Sequence, residues 1–292
     1  MEIIVEIGTQ EDQELIRAEL DLISLVTSQT NNIINISKVI VPSDFDAKVN
    51  ELQRTLDYRS HRGVVVLAKN VNLEDGDAIV MSPLLYTSGY FDAQVRLFIL
   101  LHEMVHTLNK NSFPKSSCIS GSEGIYIRNL YTLYDEYVAD RLALTILDNA
   151  LSIKTTNWNK YISDYSLDIS LMINDPKYYE NIKTEIDIFR HTADVAHFLK
   201  NIDENFHNVA ICIAHLFAIS HHYSYVSPSE TLSQSHFVNE KTTAIMNFFN
   251  GKHQERAYDV NDGFDLMVEF MTNFGMKFKD LPEGIYCEVL DI

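Results

Sequence analysis

Over the first ninety residues the apolar positions change period several times, as they do where short strands alternate with helices. Ile3–Ile7 is a short β-rich run, and Thr9-Gln10-Glu11-Asp12 opens a helix that turns Leu15, Ile16, Leu20, Ile23 and Leu25 toward a core. Asn32–Val41 is rich in Ile and Val and stops at Pro42, which suits a strand. Ser43–Tyr58 carries Phe45, Val49, Leu52 and Leu56 at helical spacing. Two apolar runs follow, Gly63–Ala68 and Asp77–Ser82, separated by a polar stretch containing Asp75-Gly76; they read as a hairpin with a loose loop.

From Phe91 the pattern changes. Phe91–Lys110 is apolar on nearly all sides, with no Gly or Pro, the mark of a helix buried at the centre of a domain. Asn111–Gly121 is a loop by composition, and Ser120 with Glu123 fits a capping box opening a long helix over Glu123–Ala150. Thr155 to about Phe278 reads as several helices, and Gly284–Leu290 as a closing strand. No repeat or linker interrupts the chain. The reading is one α+β domain over 1–292, with a mixed α/β part (1–90), a central helix pair (91–150) and a mainly helical part (151–292).

Composition narrows the function classes. The 292 residues are 46% hydrophobic, with 15 Phe and 15 Tyr, enough for a sizeable core. Acidic residues outnumber basic ones 41 to 23, for a formal charge of -18. A surface so negative repels phosphate backbones and anionic headgroups, so neither nucleic acid nor membrane is expected as partner. Met1–Glu6 has neither a basic region nor a long apolar stretch, and the longest apolar runs are too short to span a bilayer. Cys118, Cys212 and Cys287 make no ligand pair and read as reduced thiols. A cytoplasmic setting follows as the expectation.

The chemistry lies in the buried helix. His102-Glu103-Met104-Val105-His106 places two imidazoles one turn apart on one face, where both can reach a Zn(2+) ion at about 2.0–2.1 Å. Glu103, rotated by about 100° from His102, is free of that pair and suits the general base that activates a zinc-bound water. A catalytic zinc needs a third protein ligand. Glu136, in Asp135-Glu136-Tyr137-Val138-Ala139-Asp140 on the next helix, is the candidate. Asp140 stands one turn beyond Glu136 and can accept the free ring N–H of a ligand histidine, His102 being the expected one. Asp135 does not stack with Asp140 at that spacing.

His-Glu-x-x-His followed by Glu-x-x-Ala-Asp resembles the gluzincin metallopeptidases. Among them it is similar to the minigluzincin and CAAX-prenyl-protease-like cores and, more loosely, to the ImmA/IrrE-type peptidases. The likeness covers about Gly63–Asp148; Val138 stands where the prenyl proteases usually carry a second Glu, and their membrane spans are missing. The resemblance implies a zincin-like core, a small mixed sheet over an active-site helix, with zinc on His102, His106 and Glu136. It also implies Glu103 as base, Asp140 as support, and an edge strand that binds an extended peptide. Asp77–Ser82 is the candidate for that strand.

Gluzincins often stabilise the oxyanion with a Tyr or His, and here Tyr126, Tyr131, Tyr134, His191, His197, His215, His221 and His222 all qualify. His207, His215 and His222 share a helical stripe but lie too far apart for one ion, and read as ordinary hydrogen-bonded or surface histidines. The expected activity is peptide-bond hydrolysis on a peptide or protein substrate. The alternative is a regulatory or interaction protein that keeps the same core and cleaves or binds one partner.

Overall fold

The computed structural model describes residues 1–28, 36–55, 58, 66–112, 120–150, 156–227, 232 and 235–292. It divides into two compact units, one of 1–112 with 141–161 and one of 113–140 with 162–292. The class is α+β.

In the first unit, β1 (Glu2–Val5) runs parallel to β2 (Ile36–Val41), with Ile3 opposite Val39. The crossover between them is α1 (Gln10–Ser28), opened by a reciprocal cap in which Asp12 Oδ2 accepts from the Thr9 N–H and hydroxyl. β2 is parallel to β4 (Asp77–Met81), and β4 is antiparallel to β3 (Ala68–Val71), giving a mixed sheet in the order β1-β2-β4-β3. β4 is wholly buried because its run Ala78-Ile79-Val80-Met81 must be covered on both faces.

Side chains alternate across that sheet. Val71 and Val80 face α2 (Phe45–Gln53), forming a cluster with Phe45 and Val49. Asp44 caps α2 by accepting from the Ala47 N–H, and Arg54 in the left-handed conformation ends it. The opposite face, carrying Asn70 and Ile79, is covered by α4 (Ala93–Ser112), which follows the short α3 (Leu84–Thr87). Asp92 caps α4 through the Val95 N–H. Arg96 forks onto both carboxylate oxygens of Glu19 at 2.8 and 2.5 Å, tying α4 to α1.

Two expectations shift here. Leu15 is 66% exposed, and Ile16 and Leu20 alone carry the described buried stripe of α1. The hairpin forms, but its first strand is Ala68–Val71 rather than Gly63–Ala68; Gly63–Val65 lie outside the described residues. The polar Lys69-Asn70 pair conceals this strand from a hydrophobicity reading, although polar residues are what an exposed edge requires. Leu56, Cys118 and Asn32–Asn35 also lie outside the described residues.

The second unit holds the first twenty residues of α5 (Gly121–Ala150), most of α6 (Thr156–Ile173), then α7 (Pro176–Thr192), α8 (Val195–His222), α9 (Glu240–Gln254) and α10 (Phe264–Thr272). Its C-terminal end is an antiparallel pair, β5 (Met276–Leu281) and β6 (Gly284–Val289), closed by Pro282-Glu283. The helical reading to about Phe278 therefore ran three residues into this strand, since Met276, Lys277 and Phe278 already alternate as a strand.

Side-chain caps punctuate the helices: Asp175 before Pro176, Asp194 for α8 and Asn239 for α9. The first turn of α5 is met from far along the chain, where Asp280 accepts from the Ser122 N–H and hydroxyl at 2.9 Å. Gly121 makes this approach possible: its φ is +77°, and a Cβ there would lie 2.7 Å from Asp280 Oδ1. Phe206, Phe237, Phe270 and Phe274 form the aromatic centre of the unit.

Candidate metal centre

α4 presents its motif on a half-buried stripe. Leu100, Leu101, Met104 and Val105 are buried, while His102, Glu103 and His106 are each partly accessible. The one-turn spacing brings His102 Nε2 and His106 Nε2 to 3.0 Å. Two nitrogens on a tetrahedral ion at 2.0–2.1 Å would stand about 3.3 Å apart, so the pair is set close to a chelating separation.

Glu103 takes a different direction. Its Oε2 accepts the Asn70 backbone N–H at 2.8 Å, and its backbone carbonyl accepts from Asn70 Nδ2 at 3.2 Å. The same amide nitrogen donates to Thr107 Oγ1 at 2.6 Å. The carboxylate is thus held at the sheet edge, clear of the two imidazole nitrogens. β3 is that edge. β4, expected to be the peptide-binding strand, lies between β2 and β3 with both sides paired, so that expectation is corrected. An apolar strand is the one a sheet places inside.

Glu136 and Asp140 lie on α5, as the helical spacing requires. Asp140 is 1% exposed and its Oδ2 lies 2.7 Å from His215 Nδ1 on α8. The other ring nitrogen, Nε2, stands 3.8 Å from Glu136 Oε2. His215 is thus a hydrogen-bonded histidine, as expected, but its partner is a buried carboxylate and it does not lie on the surface. The signal for it was present in the sequence: an ionisable residue inside the apolar run Ile211-Cys212-Ile213-Ala214-His215-Leu216-Phe217 needs a buried partner.

The remaining oxyanion candidates have structural employment. Tyr126 OH accepts the Phe278 N–H at 2.7 Å, Tyr134 OH donates to the Ala257 carbonyl at 2.8 Å, and Tyr131 OH donates to Asp259. Burial pushes all three phenols above the ordinary range. His221 Nδ1 meets the Tyr137 hydroxyl at 2.8 Å, His222 packs edge-on against Tyr223, and His191 and His197 are exposed at the α7–α8 turn.

Among the described residues, His, Asp and Glu groups are positioned to hold a metal ion. In the first unit these are His102 and His106 on α4; in the second they are Glu136 and Asp140 on α5 with His215 on α8. Imidazole nitrogens and carboxylate oxygens are both ordinary ligands of divalent metal ions. No helix among the described residues is long and apolar enough to cross a membrane. No family model, curated protein or solved structure matches this chain.

Proposed function

We propose that this chain is a zinc-dependent metallopeptidase of the gluzincin type, with a zincin-like core in which His102, His106 and Glu136 hold the ion. What supports the reading is the pair His102 and His106, with ring nitrogens 3.0 Å apart, together with Glu103 between them, its carboxylate held on the Asn70 N–H. Zinc at this position supplies a Lewis acid for the scissile carbonyl and lowers the pKa of water.

The residues divide the remaining work. Glu103 takes a proton from the attacking water and passes it to the leaving amine, so one carboxylate serves first as base and then as acid. His215, with Nδ1 anchored on Asp140, directs Nε2 toward the Glu136 side, where it stabilises the negative charge that develops on the carbonyl oxygen. Asp140 fixes the orientation of His215 from a buried position, so no reorganisation is needed at the moment of reaction. The substrate class is peptide or protein, and the setting we assign is cytoplasmic.

Glu103→Gln is the test. The variant is expected to retain stoichiometric zinc by elemental analysis while hydrolysis of a fluorogenic peptide library drops to background. Wild-type activity in that variant would refute the mechanism, and a wild-type protein that binds no zinc would refute the class.

A further inference from the structure

We infer that Asn70 is a positioning residue that sets the orientation of Glu103, an assignment that rests on the proposed role of Glu103 as base. The case begins with the β3–β4 ladder. Ser82 donates its N–H to the Leu67 carbonyl, so Leu67 and Ser82 form a hydrogen-bonded pair. Such pairs alternate along an antiparallel ladder, and the register places the next ones at Lys69–Val80 and Val71–Ala78. The N–H and C=O of Asn70 therefore point away from β4, out of the open edge of the sheet.

That outward N–H is the group that Glu103 Oε2 accepts at 2.8 Å. The Asn70 side chain adds two further ties to the same helix, to the Glu103 carbonyl and, one turn on, to the buried Thr107 hydroxyl. One residue thus binds α4 at three atoms, and both its main chain and its amide are used. The backbone contact commits Oε2, leaving Oε1 as the oxygen that moves protons. The amide contacts fix the height of α4 against the edge strand. Asparagine is required because the clamp needs two side-chain N–H donors at once; aspartate of the same shape offers none and would set a second carboxylate beside Glu103.

Native-state hydrogen exchange on the full chain, read by NMR, tests the clamp without reference to activity. The Asn70 amide is expected to be protected in the wild type and to exchange at least tenfold faster in Glu103→Ala, while Lys69 and Val71, paired to β4, keep their protection. An Asn70 amide that exchanges freely in the wild type, or is indifferent to Glu103→Ala, overturns the clamp. Kinetics then test positioning: Asn70→Ala and Thr107→Val should each lower kcat by roughly 10–100-fold with KM changed less than threefold. The double variant should be no worse than Asn70→Ala alone. A normal kcat in Asn70→Ala, with zinc retained, overturns the positioning role. If the wild type hydrolyses no peptide, the metallopeptidase reading fails, and the exchange result still decides whether Asn70 holds Glu103.

Discussion

The contact between Asp140 and His215 can be weighed before it is measured. Asp140 is 1% exposed, its oxygen lies 2.7 Å from His215 Nδ1, and the imidazole itself is only 15% exposed. A carboxylate so deeply buried must be compensated by charge or by hydrogen bonds. A charge-assisted hydrogen bond of this length contributes about 1.5–3 kcal/mol. At an effective dielectric constant near 20, full charges 4 Å apart would attract by about 4 kcal/mol before desolvation is subtracted, so the lower range is the realistic one.

The perturbation is a double-mutant cycle with Asp140→Ala, His215→Ala and both together. Urea unfolding is followed by circular dichroism in the presence of a chelator, so that bound metal adds nothing. Each single variant loses packing as well as the bond, and the cycle cancels that packing term. The expected coupling energy is about 2 kcal/mol, roughly a thirtyfold change in the folding equilibrium. A coupling below about 0.5 kcal/mol would refute the pairing, and with it the proposal that Asp140 orients His215 for catalysis.

The position of the ion is tested by elemental analysis: His106→Ala and Glu136→Ala should lose stoichiometric zinc, whereas His215→Ala should keep it. The reverse pattern would move the ion onto His215 and Asp140. Burial pushes the Cys212 and Cys287 thiols up from 9.0 to about 12. Because the folded value is the higher one, their contribution to stability is complete below about pH 9 and lost as pH rises toward 12. Thermal melts should show that decline, and both thiols should resist alkylation in the native protein at neutral pH; rapid labelling would contradict their burial. Ile79→Ala, in the wholly buried β4, should cost about 2–4 kcal/mol in urea unfolding with zinc content unchanged, and a cost under 1 kcal/mol would argue against β4 as the sheet interior.

What the sequence made legible was local and periodic. The buried helix α4, its motif, and Glu136 and Asp140 at one-turn spacing on α5 all follow from a 3.6-residue period, whereas α2 stops at Gln53, short of the Tyr58 that the period allowed. Residues brought together by the fold were not legible. Asn70 is 33 positions from Glu103 and His215 is 75 from Asp140, and no local pattern encodes either contact. β3 escaped for a related reason. Its sequence is polar because it is an edge, and hydrophobic periodicity finds interior strands more readily than edges.

The same contrast explains how a pentapeptide becomes a site. A helix can align two imidazoles by itself, but it cannot by itself aim a carboxylate. Glu103 stands about 100° around α4 from His102 and would be free to rotate toward solvent or toward the imidazoles. It is the outward N–H of Asn70, on the strand that ends the sheet among the described residues, that gives the carboxylate a fixed direction. His215 repeats the principle within the helical unit, where the buried Asp140 supplies the direction and α8 supplies the ring. In both places a residue able to do chemistry is oriented by a partner remote in sequence. Each partner is a group the fold had to satisfy in any case: an unpaired edge amide at Asn70, a buried carboxylate at Asp140. Substitutions at Asn70 and Asp140 should therefore cost rate and stability together, whereas Glu103→Gln, which keeps an oxygen to accept the Asn70 N–H, should cost chiefly rate.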